Sequence, residues 1–175
     1  MTDTAVSGRS LTATDPRLDA WRAFLGAHAR LFRRLDEELR AEHGLSLPEY
    51  ETLLQIGQAP DRRLRMSQIA NRVLLSKSGV TRLVDRLVAD GFVERSQCSS
   101  DARGAEAGLT PAGLERLRAA ATTHLRDIDH YFLSAVDEDD LVTLERMMDA
   151  VSKVTGVARS AGEACEPTDA PSRPG

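Results

Sequence analysis

The sequence predicts a mainly α-helical chain with one small β-hairpin. Three observations carry this: apolar residues spaced three and four apart near both ends, two shorter helical segments between them, and one pair of strand-like runs around small polar residues. The 175 residues, 41% hydrophobic and 29% charged, suit one domain with appended tails. No stretch approaches the roughly 18 apolar residues of a membrane span. Residues 1–14 lack the apolar core of a signal peptide, so a cytoplasmic chain is expected. Cys98 and Cys165 have neither CxxC nor histidine spacing, which indicates neither a disulfide framework nor a zinc site.

The first long helix begins near Asp15-Pro16 and uses Leu18, Trp21, Leu25, His28, Phe32, Leu35 and Leu39, a seam with His28 as its polar member. Gly44 ends it. Ser46-Leu47-Pro48-Glu49 forms a capping box for a short helix with Leu53, Leu54 and Ile56 inward, and Ala59-Pro60 closes that helix. Two further short helices follow. Ile69, Ala70 and Val73 mark the first, which Arg65-Met66 caps poorly; Val80, Leu83, Val84 and Leu87 mark the second, and Asp90-Gly91 stops it. Phe92 to Ser96 favours a strand, Cys98 to Gly104 a mobile tip, and Ala105 to Leu109 a returning strand. Thr110-Pro111 opens a long helix through Leu114, Leu117, Ala121, Leu125, Ile128, Phe132 and Ala135. Asp137 to Asp140 start a last one through Leu141, Leu144, Met148 and Val151. Before Asp15 and after Gly156 the composition predicts disordered tails, 1–14 and 156–175.

Charge is unevenly distributed. Residues 61–104 carry nine Arg or Lys against five Asp or Glu, hence +4, while the remainder carries 14 against 22, hence −8, within a whole-chain charge of −4. A basic insert in an acidic body is what a phosphate backbone would feel. Two short helices followed by a hairpin, inside that insert, is the order of a winged helix-turn-helix. The fold class expected is therefore a winged helix-turn-helix lobe joined to a helical region, which the resemblance below implies is for dimerisation.

The helix from Ser76 to Ala89 suits the B-DNA major groove, its first turn facing bases and phosphate. Lys77 and Arg82 can read guanine or neutralise phosphate, and Ser76, Ser78 and Thr81 are polar contacts. Arg86 goes to phosphate or to an internal pair with Asp85 or Asp90. Ser67 and Gln68 of the preceding helix join the DNA-contact set, and Arg95 adds a phosphate contact. At the hairpin tip Arg103, beside Gly104, can enter a minor groove while Asp101 holds its guanidinium.

Met66-Ser67-Gln68-Ile69-Ala70, the run from Ser76 to Leu87, Gly91-Phe92-Val93-Glu94-Arg95, the Asp-x-Arg-Gly wing and Leu109-Thr110-Pro111-Ala112-Gly113 together resemble the MarR family of transcriptional regulators, over residues 15–155. The resemblance implies a homodimer in which helices of 15–43 and 111–155 interlock and carry the winged lobe, 46–110. It implies double-stranded DNA as partner, with a pseudo-palindromic operator whose half-sites lie about 10 bp apart. A repressor is the commoner habit, released by a small phenolic or lipophilic effector bound between the dimer region and the winged lobe. Two departures stand out: Leu74 replaces a turn glycine, and the wing lacks additional arginines, which leaves Arg103 as its one anchor.

Trp21, His28, Phe32, Tyr50 and Leu54 read first as core and second as lining for the effector cleft. His124, Asp127 and His130 fan over about 120° of one helix, too wide for a single ion, so no metal and no cofactor is assigned. Cys98 beside Arg95 offers a thiol-sensing alternative. Another is a winged helix that binds protein without DNA. No phosphate-binding glycine loop, nucleophile elbow or catalytic spacing occurs, so no catalytic residue is assigned and an enzyme is not expected.

Overall fold

The computed structural model describes residues 12–73, 75–98 and 101–155, the side chains of 98 and 101–104 excepted. Of the tails expected at 1–14 and 156–175, residues 1–11 and 156–175 lie outside the described residues, as does Leu74. Residues 12–14 belong to a turn ahead of the first helix: Asp15 N–H donates to the Thr12 carbonyl (3.0 Å), and Arg22 reaches the Ala13 carbonyl (2.9 Å).

Helix α1 spans Arg17–His43 and ends at Gly44, whose φ of 66° permits its N–H to bond the Arg40 carbonyl. Only Leu35 and Leu39 of α1 are buried. Helix α2, Leu47–Gly57, opens with the expected capping box: Ser46 Oγ accepts from Glu49 N–H, and Glu49 Oε2 accepts from Ser46 N–H at 2.8 Å. It buries Tyr50, Leu53 and Ile56 at the centre of the core. A 3-10 turn, Pro60–Arg62, puts Asp61 and Arg62 at φ of 52° and 54° and turns the chain into strand β1, Arg63–Arg65.

Strand β1 was not expected, and it changes the wing from a hairpin into a sheet. Strands β2 (Val93–Cys98) and β3 (Asp101–Leu109) pair antiparallel, and β1 adds to the far side of β3, in the order β1-β3-β2. Arg63 faces Gly108 and Val93 faces Leu109. Three residues are too few to show a period of two, so pairing with β3 rather than local sequence makes β1 a strand. Strand β3 begins at Asp101, inside the segment Cys98 to Gly104 expected as the tip: Asp101 faces Cys98 and Ala105 faces Gln97, with a register shift between the two pairs.

Helix α3 spans Met66–Arg72 and α4 spans Lys77–Ala89. The expected weak cap of α3 is relieved by Gln68, whose Oε1 accepts the Arg65 N–H at 3.0 Å. Ser76 caps α4 by accepting the Gly79 N–H at 3.1 Å. Helix α5, Pro111–Tyr131, is capped by Thr110, which accepts from Gly113 N–H and donates to the Gly91 carbonyl. It stops four residues short of the Ala135 expected: Phe132 leaves helical geometry and Leu133–Ala135 form a 3-10 turn before helix α6, Glu138–Val154.

The core gathers Leu53 and Ile56 of α2, Ile69 of α3, Val80, Leu83, Val84 and Leu87 of α4, Leu64, Val93 and Ala107 of the sheet, and Leu117 and Ala120 of α5. Each fully buried aliphatic side chain contributes about 1.5–3 kcal/mol. Helix α5 runs antiparallel to α1: His43 bonds Thr123, Glu42 pairs with Arg126, and Glu38 meets Tyr131. Helix α6 buries no residue. Among the described residues no helix is long and apolar enough to cross a membrane.

Candidate nucleic-acid interface

Helix α4 is held by its apolar side and presents the other. Val80, Leu83, Val84 and Leu87 are each at most 3% exposed, while Ser76, Lys77, Ser78, Thr81 and Arg82 are exposed. These five fall on the first turn and a half, so one cap and four side chains share the helix's leading face. Lys77 and Arg82 form no ion pair among the described residues, and their charge is available to an outside anion. Thr81 Oγ1 donates to the Lys77 carbonyl at 2.9 Å, so its hydroxyl proton is spent and it can offer lone pairs and a methyl group outward. Ser76 Oγ is engaged by the cap and lies 3.2 Å from Ser78 Oγ.

Arg86 and Arg95 are each engaged by a carboxylate of the same chain. Arg86 Nε lies 2.9 Å from Glu49 Oε1 on α2, and neither Asp85 nor Asp90, the expected internal partners, holds it. Burial pushes the Glu49 carboxyl up, but hydrogen bonds from Ser46 and the Arg86 guanidinium outweigh that and hold it below the usual range. Arg95 bonds Asp85 at 3.0 Å and the Thr81 carbonyl at 3.2 Å, which ties β2 to the exposed side of α4. It therefore fixes the wing's angle to that helix. Glu49 was missed as a member of the site because it acts across 37 residues, and Asp85, expected as a partner of Arg86, pairs with Arg95 instead.

Ser67 is exposed on α3, and Gln68 is half-buried with its carbonyl end used in the α3 cap. Asp101, Arg103 and Gly104 lie on β3, and the Arg103 and Asp101 side chains lie outside the described residues, as does the Cys98 thiol. Within the sheet Arg63 is committed to Glu94, Ser96 and Glu106, so its charge is balanced at home.

The five effector candidates divide into two groups. Trp21, His28 and Phe32 form an exposed ladder on α1 with Phe24, which the sequence reading passed over: centroids are 5.9 Å apart for Trp21 and Phe24, and 4.1 Å for His28 and Phe32. Tyr50 is buried against His124, ring centroids 4.5 Å apart, and Leu54 is half-buried nearby on α2. Phe32 stands about 16 Å and Trp21 about 33 Å along α1 from His43, at 1.5 Å per residue. A single protomer therefore does not bring Trp21 to Tyr50. His124 and Asp127 are buried and His130 is exposed, and among the described residues no group of three potential ligands could hold a metal ion.

Residues 43–104 match the model of the MarR family. The chain is 33% identical over 122 residues to the uncharacterized HTH-type transcriptional regulator YkoM of Bacillus subtilis, covering 66% of this chain and 77% of that one. It is 29% identical over 119 residues to the HTH-type transcriptional repressor YetL of the same organism, covering 68% and 71%. The crystal structure of AbsC, a MarR family transcriptional regulator from Streptomyces coelicolor, superposes with a TM-score of 0.78 at 30% identity, over 86% of this chain and 99% of AbsC. A second regulator of this family from S. coelicolor, crystallised in complex with DNA, gives 0.77 at 30% identity, over 89% and 94%. With sequence identity extending over most of a regulator's length, and a fold shared with crystallised members from end to end, this chain belongs to the MarR family of transcriptional regulators.

Proposed function

We propose that the chain acts as a homodimeric repressor that binds a pseudo-palindromic site in double-stranded DNA and is released by a small-molecule effector. The observation that carries the DNA reading is the leading face of α4: Lys77 and Arg82, two cations with no ion pair among the described residues, set among Ser78 and Thr81 on a helix whose other side is locked in the core. An α-helix presented in this way fits the major groove, where Arg82 reads guanine and Lys77 takes phosphate. Ser67 and Gln68 stand beside it on α3, and the wing carries Arg103, with Asp101 and Gly104, to the flanking minor groove. Arg86 and Arg95 hold α4 to its neighbours, through Glu49 of α2 and through Asp85 and the Thr81 carbonyl.

Two features support the dimer. Helix α6 has no buried residue, and Val142, Met147 and Val151 on it are more than half exposed. The α1 ladder is equally uncovered, so the frame has apolar surface that a second copy would bury. The effector reading places Tyr50 and Leu54 on the wall of the winged lobe, with Trp21, His28 and Phe32 contributed by α1 of the helical frame.

Sequencing the genomic fragments retained by the purified protein tests the proposal, with Arg82→Ala as comparison. The expected result is an inverted repeat with half-sites about 10 bp apart, and a loss of about 1–3 kcal/mol with relaxed preference at one base pair for Arg82→Ala. Retention of fragments with no common sequence, or unchanged affinity of the variant, refutes it.

A further inference from the structure

The winged lobe meets the helical frame at the start of α2 and again at the turn that leaves α4. At the first, Asp36 Oδ1 on α1 accepts the Leu47 N–H at 2.7 Å, and Tyr50 of α2 packs on His124 of α5. At the second, Gly91 turns the chain with φ of 75°, and the Phe92 N–H returns to the Leu87 carbonyl at 2.9 Å. Phe92 therefore moves with the end of α4.

Arg116 ties this second joint to α1. It is half-buried on α5, one turn beyond Gly113; its guanidinium lies 5.2 Å from the centroid of the Phe92 ring, and its Nη1 donates to the His43 carbonyl at 3.0 Å. That carbonyl belongs to the last turn of α1, where helix carbonyls lack intrahelical partners and carry partial negative charge. The face of an aromatic ring is negative as well, so one planar cation satisfies an electron-rich group on each side of the joint. Thr110 and Gly113 also meet the Gly91–Phe92 backbone, but those contacts stay between that turn and the start of α5. Arg116 extends the joint to a second frame helix. Helix α4 is the lever that turns on it: its 13 residues run about 20 Å from the joint to the leading turn, so a tilt of about 10° moves that turn about 3.5 Å, close to the rise of one base pair.

We propose that Arg116 is a positioning residue that holds the winged lobe at a fixed angle to the frame and so sets the half-site separation the dimer accepts. The inference rests on the homodimeric DNA reading above. Arg116 needs no contact with DNA for this. It governs how far apart two α4 helices stand, while Lys77, Ser78, Thr81 and Arg82 govern which bases each one reads. With the tie removed, the lobe samples a range of angles, and duplexes whose half-sites are one base pair closer or farther apart become acceptable.

The test measures affinity of the full chain for the selected DNA fragment and for duplexes with one base pair added or removed between its half-sites. The wild type should lose about tenfold or more for either change. Arg116→Met keeps an apolar stem against Phe92 without the charge or the donors; it should lose less than about threefold, with base preference inside each half-site unchanged. Arg116→Lys, which keeps a cation and a donor, should recover part of the discrimination. A purely structural role would lower affinity at every separation by one factor and leave the ratios as in the wild type. Equal ratios in Arg116→Met and wild type therefore overturn the proposal. If Arg116→Met fails to fold, Phe92→Leu, which removes the ring, decides the matter with the same expected ratio. Wild-type tolerance of both length changes also overturns it, and a wild type that retains no duplex at all removes the DNA reading and this inference with it.

Discussion

At the scale of single residues, the basic insert sorts into cations that face outward and cations that are spent on the fold. Arg86 decides how strictly that division holds. Its side chain is more than half exposed, yet it bonds a mostly buried Glu49 that also caps α2. Removing it should cost about 1 kcal/mol of stability, discounted for solvent screening. Arg86→Ala is expected to lower the urea midpoint slightly and to leave the salt dependence of DNA binding unchanged; a shallower salt dependence would make it a phosphate contact instead. Neither the Glu49 partner of Arg86 nor the pairing of Asp85 with Arg95 was legible, because no periodicity reports a contact between helices 37 residues apart or between a strand and the helix before it. Lys77, Ser78, Thr81 and Arg82 were legible, since their spacing opposite Val80, Leu83, Val84 and Leu87 fixes their face.

His124 gives the junction of α2 and α5 a pH dependence. Burial against Tyr50 pushes its imidazole below the ordinary value near 6.5, more than neighbouring Asp127 raises it. The native state thus disfavours the protonated ring relative to the unfolded chain. The stability this contributes is full above about pH 6.5 and declines as pH falls from there through the lowered native pKa. His124→Gln should therefore show a smaller loss of urea midpoint than the wild type between about pH 7.5 and about pH 5. Equal losses in the two proteins would remove His124 as the cause.

At the scale of elements, the wing is anchored to the frame by a close backbone approach at Gly113. A Cβ built there would lie 2.0 Å from the Phe92 carbonyl oxygen, which also accepts the Thr110 N–H at 3.1 Å. The Leu109-Thr110-Pro111-Ala112-Gly113 run is thus a strand end, a cap and a contact in one. Gly113→Ala should cost about 3 kcal/mol or more by forcing α5 away from β2, read as a large fall in thermal midpoint; a loss below about 1 kcal/mol would mean that the junction yields freely. The caps at Ser46 and Thr110 are written in adjacent residues and were foreseen, whereas the Ser76 cap of α4 was not. Strand β1, the longer β3 and the break after Tyr131 were not, because pairing and packing with distant segments decide them. The break interrupts an apolar rhythm that continues through Phe132, so periodicity alone extends the helix too far.

At the scale of the whole molecule, an acidic body carries a cationic edge, and its largest helices leave apolar faces open. Both features follow if two copies join through the frame and present two α4 helices to one duplex. The body's −8 then sits away from the phosphates while each +4 insert faces them. The salt dependence of binding tests this most directly, because it counts the phosphates neutralised and depends little on which sequence is read. For a dimer covering about four phosphates per protomer, log affinity for the selected DNA fragment should fall against log salt with a slope of about −7. A slope near zero would contradict the account, since no cationic edge would then be meeting the DNA backbone.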